Sequence, residues 1–123
     1  MNLLSSREAA VQDTSIPTGP GLRIADLTGT SGIRVVGVID PSTRSIWEQR
    51  LDVLVGAGGG TIDLSRLAFA DVRGVSALVD AAHRVRPPRS LTVRHAPESV
   101  RKVLRLFWAE EYMNLLNEGM RPR

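Results

Sequence analysis

The sequence predicts a single α/β domain with a mixed sheet of four to five strands and three to four helices. Short runs rich in Val, Ile and Leu, typical of strands, are separated by segments whose apolar residues recur every three or four positions, as on one helix face. The repeated strand–helix–strand order implies parallel neighbouring strands, and an initial strand pair around a turn cluster implies a hairpin. At 123 residues the chain is long enough for one domain and short for two.

A hairpin and a helix account for the first part of the domain. Strands are predicted at residues 22–27 and 33–39, and the second is almost wholly apolar, as expected of a strand buried on both faces. Asp40 and Pro41 suit the N-cap and first position of a helix that reaches about residue 55. The predicted buried face of this helix consists of Trp47, Leu51, Leu54 and Val55. The glycine-rich run at residues 56–60 follows a helix rather than a strand, so it is interpreted as a turn and not as a phosphate-binding loop.

Asp71 is predicted to start the second helix. A short apolar run at residues 61–64 predicts a strand that ends at Ser65, and the chain then crosses to Asp71. Beyond Asp71, apolar residues return at helical spacing. The Asp71 carboxylate can accept the free N–H groups of Arg73 and Gly74, and its charge suits the positive end of the helix dipole.

The C-terminal part of the chain allows two interpretations. A strand is predicted at residues 91–93, and Pro97 opens a third helix whose predicted buried stripe is Val100, Val103, Leu104 and Phe107. The stripe is extended by Trp108, Tyr112, Leu115 and Leu116. These last four residues either pack against the domain's own sheet or form an exposed face that pairs with a partner or, as a homodimer, with a second copy. The predicted domain spans residues 20–118, between a mobile arm at 1–19 and a tail at 119–123.

A set of residues around Asp71 resembles a family signature. The set matches the pattern of STAS domains, which are found in anti-sigma-factor antagonists and sulphate transporters: Asp63, Leu64, Ser65, Leu67, Phe69, Asp71, Gly74 and Val75. Residues 37–40 also resemble the segment that ends the second strand in this family, with Val38 in place of the usual glutamate. The resemblance covers about residues 20–116 and implies a STAS-like arrangement of the mixed sheet. After Phe107 the chain departs from the family pattern.

The resemblance implies a non-enzymatic regulatory module that binds another protein. In signalling members of the family, the residue after the second aspartate is usually a serine or threonine that a partner kinase phosphorylates. Val72 stands there in this sequence and Arg73 replaces the usual second serine, so this position has no hydroxyl to phosphorylate. The expectation is an anti-sigma-factor antagonist-like protein that binds an anti-sigma factor or an ATPase-fold serine kinase without phosphorylation at the usual site.

The residues expected to contact that partner lie at the start of the second helix and in the loop before the first. They are Asp40, Ser42, Thr43, Asp71, Val72, Arg73, Gly74, Val75 and Ser76. Ser65 and Ser76 remain candidate phosphorylation sites. The resemblance leaves one alternative function open, a ligand-binding sensor or a transporter-associated subunit, because some STAS domains are reported to bind nucleotides or to belong to lipid and anion transport systems.

Catalysis and bound cofactors are not indicated by the sequence. The chain has no cysteine, and its two histidines, His83 and His95, lack a second ligand at metal-binding spacing. Asp71 and Asp80 are predicted to lie on opposite sides of one helix, so they do not form a catalytic pair. No nucleophile motif or cofactor fingerprint is found. We therefore expect no enzyme activity, no cofactor and no metal.

Charge and hydropathy restrict the partners further. The net charge is +3, but acidic residues are mixed with basic ones and no basic run is interleaved with aromatics, so nucleic acid is not expected as a partner. One basic group is interpreted as a solvated surface or as a site for an acidic partner or phosphate: Arg84, Arg86, Arg89, Arg94 and His95. No stretch approaches the roughly 20 apolar residues that span a membrane. No secretion signal opens the sequence, and the cytoplasm is the predicted location.

Overall fold

The computed structural model describes residues 16–19 and 21–116, and for residues 16–19 it describes the backbone only. Within these residues the chain forms five strands and four helices. The strands are β1 (Ile16–Gly19), β2 (Leu22–Asp26), β3 (Gly32–Ile39), β4 (Gly60–Ala70) and β5 (Leu91–Arg94). The helices are α1 (Arg44–Gly56), α2 (Val72–Arg84), α3 (Glu98–Phe107) and α4 (Ala109–Leu115).

The strands form one mixed sheet in the order β1-β2-β3-β4-β5. The β1–β2 and β2–β3 pairs are antiparallel. The β3–β4 and β4–β5 pairs are parallel, because α1 and α2 carry the chain back to the other end of the sheet between them. The predicted α/β class, with a hairpin followed by parallel strand–helix–strand units, is therefore confirmed.

The helices cover one face of the sheet and leave the other open. In β3, Ile33 and Val35 are 2% and 0% exposed, whereas Arg34 between them is exposed and Val36 and Val38 are only half-buried. The prediction that β3 is buried on both faces is therefore wrong. Its run of apolar residues exceeds what the packing requires, because only one side of the strand faces helices.

Strand β4 is much longer than the sequence predicts. It continues from Gly60 to Ala70, so Ser65 lies inside the strand and does not end it. The pairing of β4 with β3 shifts register twice, and buried residues in β4 therefore recur first at two-residue and then at three-residue steps: Ile62, Leu64, Leu67 and Ala70. The strict alternation that identifies a strand in a sequence is lost at these irregularities.

Helix α1 begins later than predicted. Its N-cap is Thr43, not Asp40, and residues 41–43 form a turn. The Asp40 carboxylate accepts hydrogen bonds from the Ser42 backbone N–H and hydroxyl, at 2.9 and 2.7 Å, and therefore closes the turn instead of capping the helix. The predicted buried face of the helix is confirmed for Trp47, Leu51 and Leu54, and Val55 is partly buried.

The C-terminal helical stripe is interrupted at Trp108. The backbone there has φ −142° and ψ 63°, so α3 ends and the separate helix α4 follows. Leu115 and Leu116 are 2% and 5% exposed in the domain core, as the first of the two interpretations expects. A dimer face that uses both leucines together with Trp108 and Tyr112 is therefore wrong. Phe107, predicted as part of the buried stripe of α3, is 63% exposed because the chain turns away beside it.

The N-terminal boundary of the domain also differs from the prediction. Ile16–Gly19, assigned to the arm at residues 1–19, pairs antiparallel with β2 as the outer strand of the sheet. Residues 1–15 of the predicted arm and the tail at 119–123 lie outside the described residues. None of the four helices in residues 21–116 has the length and apolar character needed to cross a bilayer.

Candidate partner-binding site

The starts of α1 and α2 lie side by side at one end of the sheet. Because β3 and β4 are parallel neighbours, the loops that follow Ile39 and Ala70 leave the sheet at the same edge. The Asp71 N–H donates to the Ile39 carbonyl at 3.0 Å and joins the two loops directly. The topology thus brings together the two segments that the sequence analysis proposed, the loop from Asp40 to Thr43 and the helix start from Asp71 to Ser76.

Asp71 caps α2, as predicted. Its backbone is extended (φ −81°, ψ 175°), and its Oδ1 accepts a hydrogen bond of 2.8 Å from the N–H of Gly74, one of the two donors expected. The second carboxylate oxygen, Oδ2, lies 3.9 Å from Nη1 of Arg44 in the first turn of α1. The side chains of Asp71 and Arg44 are each 25% exposed. Asp71 therefore holds the first turn of α2 and links it to α1.

Gly74 occupies a position where a side chain does not fit. A Cβ atom there would lie 2.6 Å from Cγ2 of Ile39 in β3, well inside van der Waals contact. The Gly74 carbonyl accepts a buried hydrogen bond of 2.9 Å from the indole Nε1 of Trp47. The first turn of α2 is thus pressed against β3 and tied to α1, which fixes the orientation of its exposed residues.

The loop before α1 is closed by its own side chains. The Thr43 hydroxyl donates to the Val38 carbonyl at 2.9 Å and accepts from the Asp40 N–H at 3.0 Å. The hydrogen bond from the Ser42 hydroxyl, followed by smaller contributions from the Ser42 and Thr43 backbone, lowers the pKa of the Asp40 carboxyl below its ordinary value. Asp40 therefore keeps its negative charge at the rim of the site.

The nine predicted contact residues fall into three groups, which are exposed, half-buried and buried. Val72 is 48% exposed, and Arg73, Ser76 and Ser42 are also exposed. Asp40 and Asp71 are half-buried. The prediction that all nine residues form the contact surface is wrong for Thr43, Gly74 and Val75, which are buried and shape the site from below.

A groove between α1 and α2 extends from the exposed residues. Its volume is about 380 Å³ in one part and about 570 Å³ in the other. The larger part is lined by Arg44, Glu48, Val72, Arg73, Ser76, Ala77, Asp80 and Trp108. Arg44 and Trp108 were not predicted as part of this site. Arg44 could have been found, because adjacent parallel strands bring the first turns of their following helices together, but no sequence signal places Trp108 there.

The two candidate phosphorylation sites have different surroundings. Ser76 is exposed and lines the groove. Ser65 is exposed within β4, and its N–H donates to Oδ1 of Asp63 at 2.9 Å.

The predicted basic group does not form one surface. Arg84 is paired with Asp52 and Asp80 on neighbouring helix surfaces, at 3.0 and 3.3 Å. Arg94 instead lies in β5, on the open side of the sheet.

The side chains that line the groove determine which contacts it can make. No group of three or more His, Asp or Glu side chains is placed to hold a metal ion within residues 21–116. The groove combines two cationic side chains, Arg44 and Arg73, with the apolar side chain of Val72 and the partly buried indole of Trp108. Glu48 and Asp80, both exposed, add negative charge to its lining. Such a mixture suits the recognition of a complementary protein surface.

Comparisons with known proteins agree with this fold. The family model described as "Mlab, STAS domain" matches residues 23–117. No curated protein sequence matches the chain. A solved structure titled as an anti-sigma factor antagonist from Mycobacterium paratuberculosis is similar in fold, with a TM-score of 0.63 and 23% sequence identity, covering 79% of this chain and 85% of that one. With most of its described residues inside the family match, the chain belongs to the STAS domain family.

Proposed function

We propose that this chain is a non-enzymatic regulatory module of the cytoplasm that resembles anti-sigma-factor antagonists. It binds an anti-sigma factor or an ATPase-fold serine kinase through the first turn of α2, without phosphorylation at the usual site. One observation carries the proposal: Val72, directly after the N-cap Asp71, is 48% exposed on a turn that is otherwise fixed by buried contacts. Together with the two arginines and the partly buried Trp108 indole that line the same groove, this exposed side chain forms a mixed apolar and cationic surface of the kind that partner proteins contact.

The residue type at this position determines how binding is controlled. A phosphorylated hydroxyl would add roughly two negative charges at the start of α2, beside the Asp71 carboxylate. Val72 cannot carry that charge, so the electrostatic character of the site stays constant. Binding is then controlled by the amount of the protein or by another protein, and the partner is held whenever both are present.

The side chains around Val72 define the chemistry of the partner. Arg73 and Arg44 present positive charge on either side of the groove, and Trp108 adds apolar surface at its edge. The complementary surface therefore has an apolar centre that covers Val72, flanked by carboxylates that pair with the two arginines. Support for the class of partner comes from the fold shared with a protein titled as an anti-sigma factor antagonist.

A matched pair of substitutions tests this surface. The tagged protein is used to capture partners from its own cells, and the captured proteins are identified by mass spectrometry, with Val72→Asp and Val53→Asp beside the wild type. Val53 is 64% exposed near the other end of α1, so it offers the same chemical change on a surface outside the site. We expect the wild type and Val53→Asp to capture an anti-sigma factor or serine kinase, and Val72→Asp to lose it. Equal capture by all three proteins, or no such partner with any of them, would contradict the proposal.

A ligand-binding sensor or transporter-associated subunit is the second candidate. The larger part of the groove, about 570 Å³, is within the size range of ligand pockets. Half of the residues that line it are charged, however, whereas ligand pockets are mostly apolar with a few polar groups. Thermal unfolding with added nucleotides and anions separates the candidates. A saturable rise in Tm favours the sensor, because a ligand that binds only the native state stabilises it; capture of transport subunits by both Val variants favours the transporter role.

A further inference from the structure

The open face of the sheet carries a band of arginines. This face lies opposite the helices, so it is separate from the groove between α1 and α2. Along β2 to β5 each strand contributes one arginine to it: Arg23, Arg34, Arg66 and Arg94. Alternate residues in the same strands, such as Ile24 and Val35, point into the core and are buried.

The strand register sets the spacing of these arginines. One row across the sheet pairs Arg34 with Asp63 and Asp63 with Arg94. The next row pairs Arg23 with Val36 and Val36 with Arg66. Strands lie about 4.8 Å apart and alternate residues about 6.7 Å apart, so successive arginines of the band are about 8 Å from one another in a zigzag.

Most of the positive charge of this band is not neutralised within the described residues. Arg34 donates from Nε to Oδ2 of Asp63 at 3.1 Å, which pairs these two charges. Arg23, Arg66 and Arg94 are exposed, and none of them forms an ion pair with a residue in the range 21–116. Within the described residues, the band thus combines three unpaired guanidinium groups with one paired group, on the face that none of the helices α1 to α4 covers.

The chemistry of the band favours carboxylates as its ligand. A guanidinium group is a planar fork of donors that matches the two oxygens of a carboxylate. In an extended polypeptide, alternate side chains on one side are about 7 Å apart. The three free arginines are about 10 Å and about 8 Å apart, differences that the long side chains of Glu and Arg can bridge. Single-stranded nucleic acid is held by aromatic side chains on which its bases stack. The other members of the two rows are Ala25, Val36 and Asp63, none of them aromatic. Phe69, 47% exposed in the next row of this face, is a single ring and cannot stack successive bases.

We propose that the arginine band on the open face of the sheet binds an acidic, extended segment of a partner protein. The carboxylates of that segment pair with Arg23, Arg66 and Arg94, and its backbone lies across the strands. This surface is separate from the groove that contains Val72, so both can be occupied together. The proposal does not depend on the function assigned to that groove.

The test measures binding of a fluorescein-labelled peptide that alternates Glu and Ser, by fluorescence anisotropy at low and high salt. A peptide with Gln in place of Glu is the ligand control. The band variant is Arg23→Gln/Arg66→Gln/Arg94→Gln. The matched control variant, Arg86→Gln/Arg89→Gln/Lys102→Gln, removes the same charge from exposed positions outside the band. Circular dichroism establishes that both variants are folded.

We expect the Glu peptide to bind the wild type and the control variant, and the band variant to bind it about tenfold more weakly. Added salt should weaken the binding, and the Gln peptide should not bind. Equal losses in the two variants, or no binding to the wild type, would overturn the proposal. If the wild type binds an oligothymidylate, or vesicles containing phosphatidylglycerol, more tightly than the Glu peptide, the choice of an acidic polypeptide is overturned. Binding of the Val72→Asp variant to the Glu peptide should equal that of the wild type, which separates this test from that of the groove.

Discussion

The indole Nε1 of Trp47 donates a hydrogen bond of 2.9 Å to the carbonyl oxygen of Gly74. Trp47 is 1% exposed at the centre of α1, and Gly74 lies in the first turn of α2. The bond therefore connects the two helices that form the groove, directly beneath the exposed Val72 and Arg73. The geometry of the proposed partner surface depends on a core residue that no partner can reach.

Trp47→Phe tests this connection. Phenylalanine keeps an aromatic ring in the core but has no N–H, so the Gly74 carbonyl is left without its donor. An unsatisfied buried polar group costs about 1–3 kcal/mol, and the lost volume adds to this cost. We expect a lower free energy of unfolding in urea and weaker partner binding. Trp108→Phe is the control for the free energy of unfolding, because the Trp108 indole makes no hydrogen bond within residues 21–116. Equal losses of unfolding free energy in the two variants would contradict the role given to the hydrogen bond.

Gly74→Ala tests the close packing of α2 on β3. The added methyl group would lie 2.6 Å from Cγ2 of Ile39, so the helix must move away from the strand. Overpacking of this kind costs about 1–3 kcal/mol. Gly56→Ala, also in a helix but with no atom within 4 Å of the added Cβ, should leave stability unchanged or raise it by up to about 1 kcal/mol. Thermal unfolding of both variants provides the comparison, and an unaffected Gly74→Ala protein would show that the contact relaxes freely.

The lowered pKa of the Asp63 carboxyl predicts that the stability of the fold depends on pH. Burial raises the pKa of its carboxyl, but the hydrogen bonds from Ser65 and the ion pair with Arg34 outweigh burial and lower it below 3.8. A carboxyl whose pKa is lower in the folded state stabilises the fold above its unfolded pKa and loses that contribution as pH falls through the folded value. We therefore expect the free energy of unfolding to decrease on acidification below about pH 4. In Asp63→Asn this decrease should be smaller, and Arg34→Gln should lie between the two. An identical acid dependence in Asp63→Asn and the wild type would rule out this contribution.

Helix α2 and its cap could be predicted from the sequence because the necessary signals are local. Apolar residues at steps of three and four, such as Val75, Leu78 and Val79, identify the buried face, and Asp71 precedes them where an N-cap belongs. The length of β4 could not be predicted in this way. Its two register shifts place pairs of exposed residues between buried ones, and that pattern depends on the pairing with β3.

The location of the candidate site could be predicted from the sequence, but which of its residues are exposed could not. Local signals place Asp71 and Val72 at a helix start, and parallel strands bring Asp40 near them. Whether a residue there is exposed depends on contacts that are distant in sequence. Gly74 is buried because the first turn of α2 packs against Ile39 of β3, which is distant in sequence. Trp108 reaches the groove because α3 ends beside it.

Asp71 has a structural role that can be separated from recognition by two substitutions. Asparagine is as good an N-cap as aspartate, so Asp71→Asn should retain the hydrogen bond to Gly74 and lose only the weak ion pair with Arg44. Asp71→Ala removes the cap and should lower the free energy of unfolding by about 1 kcal/mol. Both carboxylate oxygens face groups of the protein itself, so we expect Asp71→Asn to bind the partner as the wild type does, and Asp71→Ala to bind more weakly because the first turn of α2 frays. Urea unfolding and affinity for the captured partner are measured on the same preparations. If Asp71→Asn stays fully stable and yet loses binding as completely as Val72→Asp, the partner contacts the carboxylate directly, and Asp71 belongs to the recognition surface.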